Sequence, residues 1–436
     1  ERPFPCSNEA HGCISFTFKF WMAYSGDCFY ERHNATSPNA PESAMTHPAF
    51  NPLVQRLSAP PVPAVLAWAK AYDGSRGPRI DLSQAVPGYP PHADILKSLG
   101  DAATSTAYTG YGDIEGEEEL RAAYARHVAE VYAAPMGTQN IHITSGANQA
   151  FISTLMAVAG AGDTVALTDP FYFNQEMTMA MLGIDLTTIP CNPQNGFLPD
   201  LDAVRETLAR GVRALVLVTP NNPTGAVYPS SLLAGILDLC REAGTWLVLD
   251  ETYRDFLPEG SGAPHDLFAR ADWQDNLISL YSFSKSFCIP GHRLGAIASG
   301  PDVVEQVAKV MDNLQICAPR AAQAAIARVL PALDGWRQEN RREIMRRAEA
   351  LKTVMAALPE WKLDAIGAYF AFIRHPFPGV DSATVAEQLA RRAGVVCIPG
   401  VYFGRDQDTH LRFAFANADA ETIRRLPERL GDFRLA

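Results

Sequence analysis

Three apolar runs, each ending abruptly in polar residues, constrain this chain more than any other feature. Val212 to Val218 is Val, Leu and Ala broken only by Arg213, and Thr245 to Leu249 and Leu277 to Tyr281 have similar character. Short runs of this kind fit strands buried on both faces, as in a parallel sheet. The first closes on Thr219-Pro220-Asn221-Asn222-Pro223-Thr224-Gly225, a turn by composition. The second closes on Asp250-Glu251-Thr252-Tyr253, and the third on Ser282-Phe283-Ser284-Lys285. With 141–144, 164–168, 184–189 and 294–298 the candidate strands number seven. The expectation is an α/β fold: a mostly parallel seven-stranded sheet with helices on both faces, plus a smaller α+β domain. Open α/β sheets bind ligands at the carboxyl ends of their strands. The residues that close the runs are therefore the place to look for chemistry.

A lysine past the end of a buried strand loses its proton cheaply and becomes a nucleophilic amine. Lys285 has Ser282 and Ser284 just before it and Arg293 eight residues after, inside Pro290-Gly291-His292-Arg293-Leu294-Gly295. Hydroxyls and a guanidinium suit a phosphate. An amine for an aldehyde and a cradle for a phosphate are what pyridoxal 5'-phosphate needs. Upstream, the strand Ile141 to Thr144 runs into Ser145-Gly146-Ala147 and then a helical stretch. A strand, a glycine turn and a helix start form an anion site from backbone N–H groups.

The string from Tyr281 to Gly295 resembles the lysine motif of fold-type I pyridoxal phosphate enzymes, the aspartate aminotransferase superfamily. The resemblance extends over about residues 50 to 430. It implies that Lys285 joins the cofactor covalently, and that Ser145, Gly146, Ala147, Ser282, Ser284 and Arg293 hold its phosphate. Asp250 would pair with the pyridine nitrogen, Asn222 and Tyr253 would contact the ring oxygen, and Tyr172 would stack on the ring. Tyr111 would reach the phosphate of a partner subunit, so the resemblance implies a homodimer with shared active sites. Arg412, in His410-Leu411-Arg412-Phe413, would take the substrate carboxylate, beside Asn222 and Ala85. The strand from Leu294 would run antiparallel. Two positions depart from the family pattern: Cys288 and Ala85 stand where glycine is common.

The reaction implied is transamination, with amino acid and 2-oxo acid as substrates and a pyridoxamine form between the two half-reactions. Other chemistry on the same fold (β-elimination, decarboxylation, oxygen-dependent oxidation) shares these cofactor motifs. A cofactor-binding regulator would need a helix-turn-helix, and residues 1–44 are too short and insufficiently periodic for one. Dicarboxylate-specific relatives carry an arginine ahead of the stretch near Ala318-Pro319, where this chain has Asn313. Aspartate and glutamate are therefore disfavoured as main donors.

A net charge of −11 argues against nucleic acid or an anionic membrane as partner, and no apolar stretch reaches transmembrane length. Cys191, Cys240, Cys288, Cys317 and Cys397 are scattered and lack metal-ligand spacing. They fit a reduced, cytoplasmic enzyme without a metal. The Arg-rich stretch from Arg337 to Arg347 interleaves with glutamates and reads as a solvated helix face. The expected organisation is a leader of unclear role over 1–44, the N-terminal part of a small domain over 45–85, a large cofactor domain over 86–330 and the rest of the small domain over 331–436. Met45 looks like a more natural start than Glu1. Gly367-Ala368-Tyr369-Phe370 is expected on a strand of the small domain.

Overall fold

The computed structural model describes residues 48–436. The expectations for the leader and for Met45 lie outside the described residues. Seven strands form the main sheet: β1 Ile141–Thr144, β2 Thr164–Asp169, β3 Asp185–Pro190, β4 Ala214–Val218, β5 Trp246–Asp250, β6 Leu277–Ser282 and β7 Gly295–Ser299. Their order across the sheet is β1-β7-β6-β5-β4-β2-β3. β7 is antiparallel to both its neighbours, and the other pairs are parallel. The seven expected strands are thus all present, each within one or two residues.

Alternation along these strands feeds two cores. Leu215, Leu217, Leu247 and Leu249 point into one apolar cluster with helices α1 (Glu118–Tyr132) and α4 (Ser230–Glu242). Val216, Val248, Ile278 and Leu280 point into another, shared with α2 (Ala147–Val158), α3 (Phe173–Leu182) and α6 (Pro301–Leu314). Successive strand residues face opposite sides, so an unbroken apolar run serves two layers of helices. Between β6 and β7 lies a single helical turn, α5, Phe283–Ser286.

A second, antiparallel sheet holds β8 (Lys362–Gly367), β9 (Phe370–Arg374), β10 (Ile398–Pro399) and β11 (His410–Ala414), in the order β10-β11-β9-β8. The long helix α7 (Asp334–Ala356) packs on it through Ile344, Leu351, Val354 and Met355. The N-terminal stretch joins this part of the molecule. Ile80 and Asp81 pair in parallel with Val395 and Val396, and Ala414 N donates to Leu82 O at 2.8 Å.

Two expectations need correction. Gly367 to Phe370 is not one strand: Gly367 ends β8, Phe370 begins β9, and Ala368 and Tyr369 make the two-residue turn between them. Ala368 takes φ 44°, a left-handed conformation that suits a tight hairpin. The Arg-rich face is solvated only in part. The Arg346 side chain is 71% exposed, but those of Arg337 and Arg347 are 9% and 5% exposed. Arg347 turns inward to donate to Ala416 O at 2.5 Å. Alternating charge signs along a helix do not say which cations find acceptors across a domain.

Candidate active site

The carboxyl ends of β4, β5 and β6 converge on one cavity of about 180 Å³. Its walls include Asn222, Asp250, Tyr253, Ser282, Ser284, Lys285, Arg293 and Tyr172, with Ala147 at the start of α2. These are sequence-selected residues brought together from positions spread over 147 residues of chain. Ser145 and Gly146 form the turn just ahead of α2. Gly146 has φ 88°, and a Cβ there would run into the Arg293 guanidinium. The glycine is thus required for Arg293 to close over the turn, where its Nη2 donates to Ser145 O at 3.2 Å.

Lys285 sits on α5, whose N-terminus is capped by Ser282: its Oγ accepts from Ser284 N at 3.3 Å. Lys285 Nζ donates to Ala85 O at 2.6 Å. Burial, and then the charges of Arg412 and Arg293, push the ammonium down to about 8. Near neutral pH a useful fraction is therefore free amine.

Asp250 is buried at the tip of β5. Thr252 gives its Oδ1 two hydrogen bonds, from N at 3.1 Å and Oγ1 at 2.7 Å, and Gln175 Nε2 donates to Oδ2 at 3.2 Å. All these donors are neutral. Burial raises the carboxyl above its ordinary range, against the pull of the Thr252 bonds. A cation set against Oδ2 would reverse that.

Arg412, on β11, is 3% exposed. Its Nη1 donates to Asn222 Oδ1 at 2.9 Å, and its Nη2 to Ser83 O at 2.6 Å. Phe370 and Phe403 lie with their ring centroids 5.0 Å from the guanidinium carbon. Its Nε has no partner, and burial carries the group down to about 10. Asn222 spends its carbonyl on Arg412, which leaves its amide N–H groups free to donate. Tyr111 stands apart from this constellation. It is 80% exposed and lines no part of the cavity.

Pyridoxal phosphate fits these residues. A buried carboxylate with only neutral partners suits a protonated ring nitrogen. A glycine turn at a helix start under Arg293 suits a phosphate. A partly buried amine with a lowered pKa suits an aldehyde. Sequence reasoning missed Thr252, Gln175 and Ser83. Thr252 was legible, because a threonine two residues past an aspartate can return a hydrogen bond to it. Gln175 arrives from α3, 75 residues upstream, and nothing local announces it.

An open, mostly parallel sheet with an antiparallel β7 and a lysine on the turn after β6 defines the fold-type I class of pyridoxal phosphate enzymes. The family model described as aminotransferase class I and II matches residues 78–430, and the chain belongs to that family. It is a pyridoxal phosphate-dependent aminotransferase. The aromatic aminotransferase ISS1 of Arabidopsis thaliana is 28% identical over 80% of this chain and 88% of its own. The aspartate aminotransferase of Pyrococcus horikoshii is 27% identical over 76% and 86%. Among solved structures, a double mutant of the Thermus thermophilus aspartate aminotransferase superposes with a TM-score of 0.80. It is 26% identical and covers 88% of this chain and 99% of its own.

Proposed function

We propose that Lys285 is the amine that carries the cofactor and moves the substrate proton, and that the main donor is an L-amino acid other than aspartate or glutamate. The observation that carries the first part is the partly buried Lys285 Nζ in the same cavity as Asp250 and Arg293. When bound, pyridoxal phosphate supplies an aldehyde that captures amines and a protonated ring that takes up the electrons left at the substrate α-carbon. Asp250 Oδ2 would accept a hydrogen bond from the protonated ring nitrogen. The Asn222 amide and the Tyr253 hydroxyl serve the ring oxygen, and Tyr172 covers the ring face. Ser145, Gly146, Ala147, Ser282, Ser284 and Arg293 take the phosphate. The Arg412 fork binds the substrate carboxylate with two parallel hydrogen bonds. Lys285 Nζ, freed by an incoming amine, would be the base placed to take the substrate α-proton.

For the donor, Asn313 is exposed on α6 and hydrogen-bonded to Lys309 O at 2.9 Å, where dicarboxylate-specific enzymes carry a cation. Exposed Tyr111 and Leu314 favour a homodimer with shared sites. The free thiols Cys191, Cys240, Cys288, Cys317 and Cys397 favour a reducing, cytoplasmic setting. We take residues 86–330 as the cofactor domain, and the described part of 45–85 with 331–436 as the smaller one.

The test is borohydride reduction of the loaded enzyme, digestion and mass mapping. The pyridoxyl label should fall on the peptide with Lys285, and a label on another lysine overturns the site. A donor panel with 2-oxoglutarate or pyruvate as acceptor then reads specificity. Highest kcat/KM with aspartate or glutamate would refute the reading of Asn313.

A further inference from the structure

The turn that carries Lys285 is gripped from behind by groups with no part in the chemistry above. Asp255 lies five residues past Asp250, and its side chain is 12% exposed. Its Oδ2 accepts from Tyr281 Oη at 2.6 Å and from Ser286 Oγ. The two hydroxyls lie 3.0 Å apart. Tyr281 stands four residues before Lys285 and Ser286 directly after it. One carboxylate therefore holds the chain on both sides of the reactive lysine.

Arg337, one of the two inward-turned arginines of α7, secures that carboxylate. Its Nη1 is 3.3 Å from Asp255 Oδ1 and 3.3 Å from His127 Nε2. Its guanidinium carbon lies 5.7 Å from the centroid of the Phe287 ring, two residues past Lys285. Arg254 covers the other side, 4.1 Å from the Tyr281 ring centroid. Burial would push Asp255 up, but Arg337 and Arg254 win and hold it well below the ordinary carboxylate range. Burial and the same two arginines push His127 down to about 3, so its imidazole is neutral and can accept from Arg337. Asp255 is thus a fixed anion.

A helix of four residues cannot hold its own shape, because nucleation costs more than one turn returns. Ser282 caps the start of α5, and Asp255 ties down its end. We propose that Asp255, through the hydroxyls of Tyr281 and Ser286, is the positioning residue that aims the Lys285 side chain. The proposal rests on Lys285 being the cofactor amine, and borohydride mapping of the wild type tests that separately.

The experiment uses full-length Ser286→Ala and Tyr281→Phe, alone and together, loaded with cofactor. Each removes one hydroxyl and leaves Asp255 paired with Arg337. Misaiming the lysine by a fraction of an ångström should lower kcat about tenfold. KM for the amino donor should stay within about twofold, because Arg412 is untouched. In the apoenzyme, cofactor capture followed by borohydride trapping should slow in step with kcat. Ser286→Thr, which restores the hydroxyl, should recover most of both rates. The double variant should lose less than the product of the single losses, because both hydroxyls act through one carboxylate. A lower melting temperature with kcat, KM and capture rate unchanged would mean a purely structural role and overturn the proposal. So would a fully multiplicative double variant, or a rise in KM at constant kcat.

Discussion

Lys285 reaches the cavity as a partly buried amine, and desolvation there sets the pH range in which it reacts. Its pKa is pushed down to about 8, so the ammonium dominates below that pH and the free amine above it. Capture of pyridoxal phosphate by the apoenzyme should therefore accelerate up to about pH 8 and then level off. An ordinary lysine would keep accelerating to about pH 10. Stopped-flow absorbance between pH 6 and 10 reads this directly, and a midpoint above about 9.5 would mean the amine is not desolvated. Asp250 offers the complementary case. In Asp250→Asn the bonds from Thr252 can persist, but the anion facing the ring nitrogen is gone. Cofactor should still bind, while single-turnover proton removal slows by about a hundredfold or more. A rate within tenfold of wild type would refute the pairing.

At the scale of elements, the Asn-Pro-Thr-Gly turn after β4 and the β8–β9 hairpin touch backbone to backbone. Gly225 has φ 80°, and a Cβ there would overlap Gly367 N and lie 2.6 Å from both Gly367 O and Phe370 O. Asn222, three residues earlier, is the partner of Arg412 Nη1. Gly225→Ala thus combines left-handed strain with a backbone collision. It should cost about 2–4 kcal/mol of stability by urea unfolding. It should also raise KM for the amino acid, since parting the hairpin from the turn pulls Asn222 away from Arg412. Unchanged stability would show that the contact yields without strain. Cys288 tells a smaller version of the same story. It holds φ 57° where the family commonly has glycine, and its thiol is buried.

For the whole molecule, the question is where Tyr111 belongs. Within one protomer it is 80% exposed and lines no part of the cavity. Supplied to a second copy, it would complete that copy's phosphate site. Tyr111→Ala and Lys285→Ala, each inactive alone, should complement when unfolded and refolded together. Half the dimers are mixed, and one of the two sites in each carries neither lesion. Activity should recover to about a quarter of wild type. No recovery with subunit exchange demonstrated would place Tyr111 outside the partner's site.

The sequence by itself determined the sheet and its catalytic edge. Strands buried on both faces read as unbroken apolar runs, and the residues closing those runs fall at the strand ends by chain continuity alone. Asn222, Asp250, Tyr253 and Lys285 stand at the strand ends for that reason, and their expected roles came from the family resemblance. Only the tertiary structure decided what surrounds them. Gln175 behind Asp250, Ser83 under Arg412, and Asp255 with Arg337 behind Lys285 come from distant elements, with no periodic signal to mark them. Arg337 shows why. On a helix of alternating charges it looks like its solvated neighbours, and only the packing of α7 against the Lys285 turn places it beside a buried carboxylate. Local pattern encodes which face a strand or helix buries; the partner a polar side chain meets there depends on how the elements are stacked.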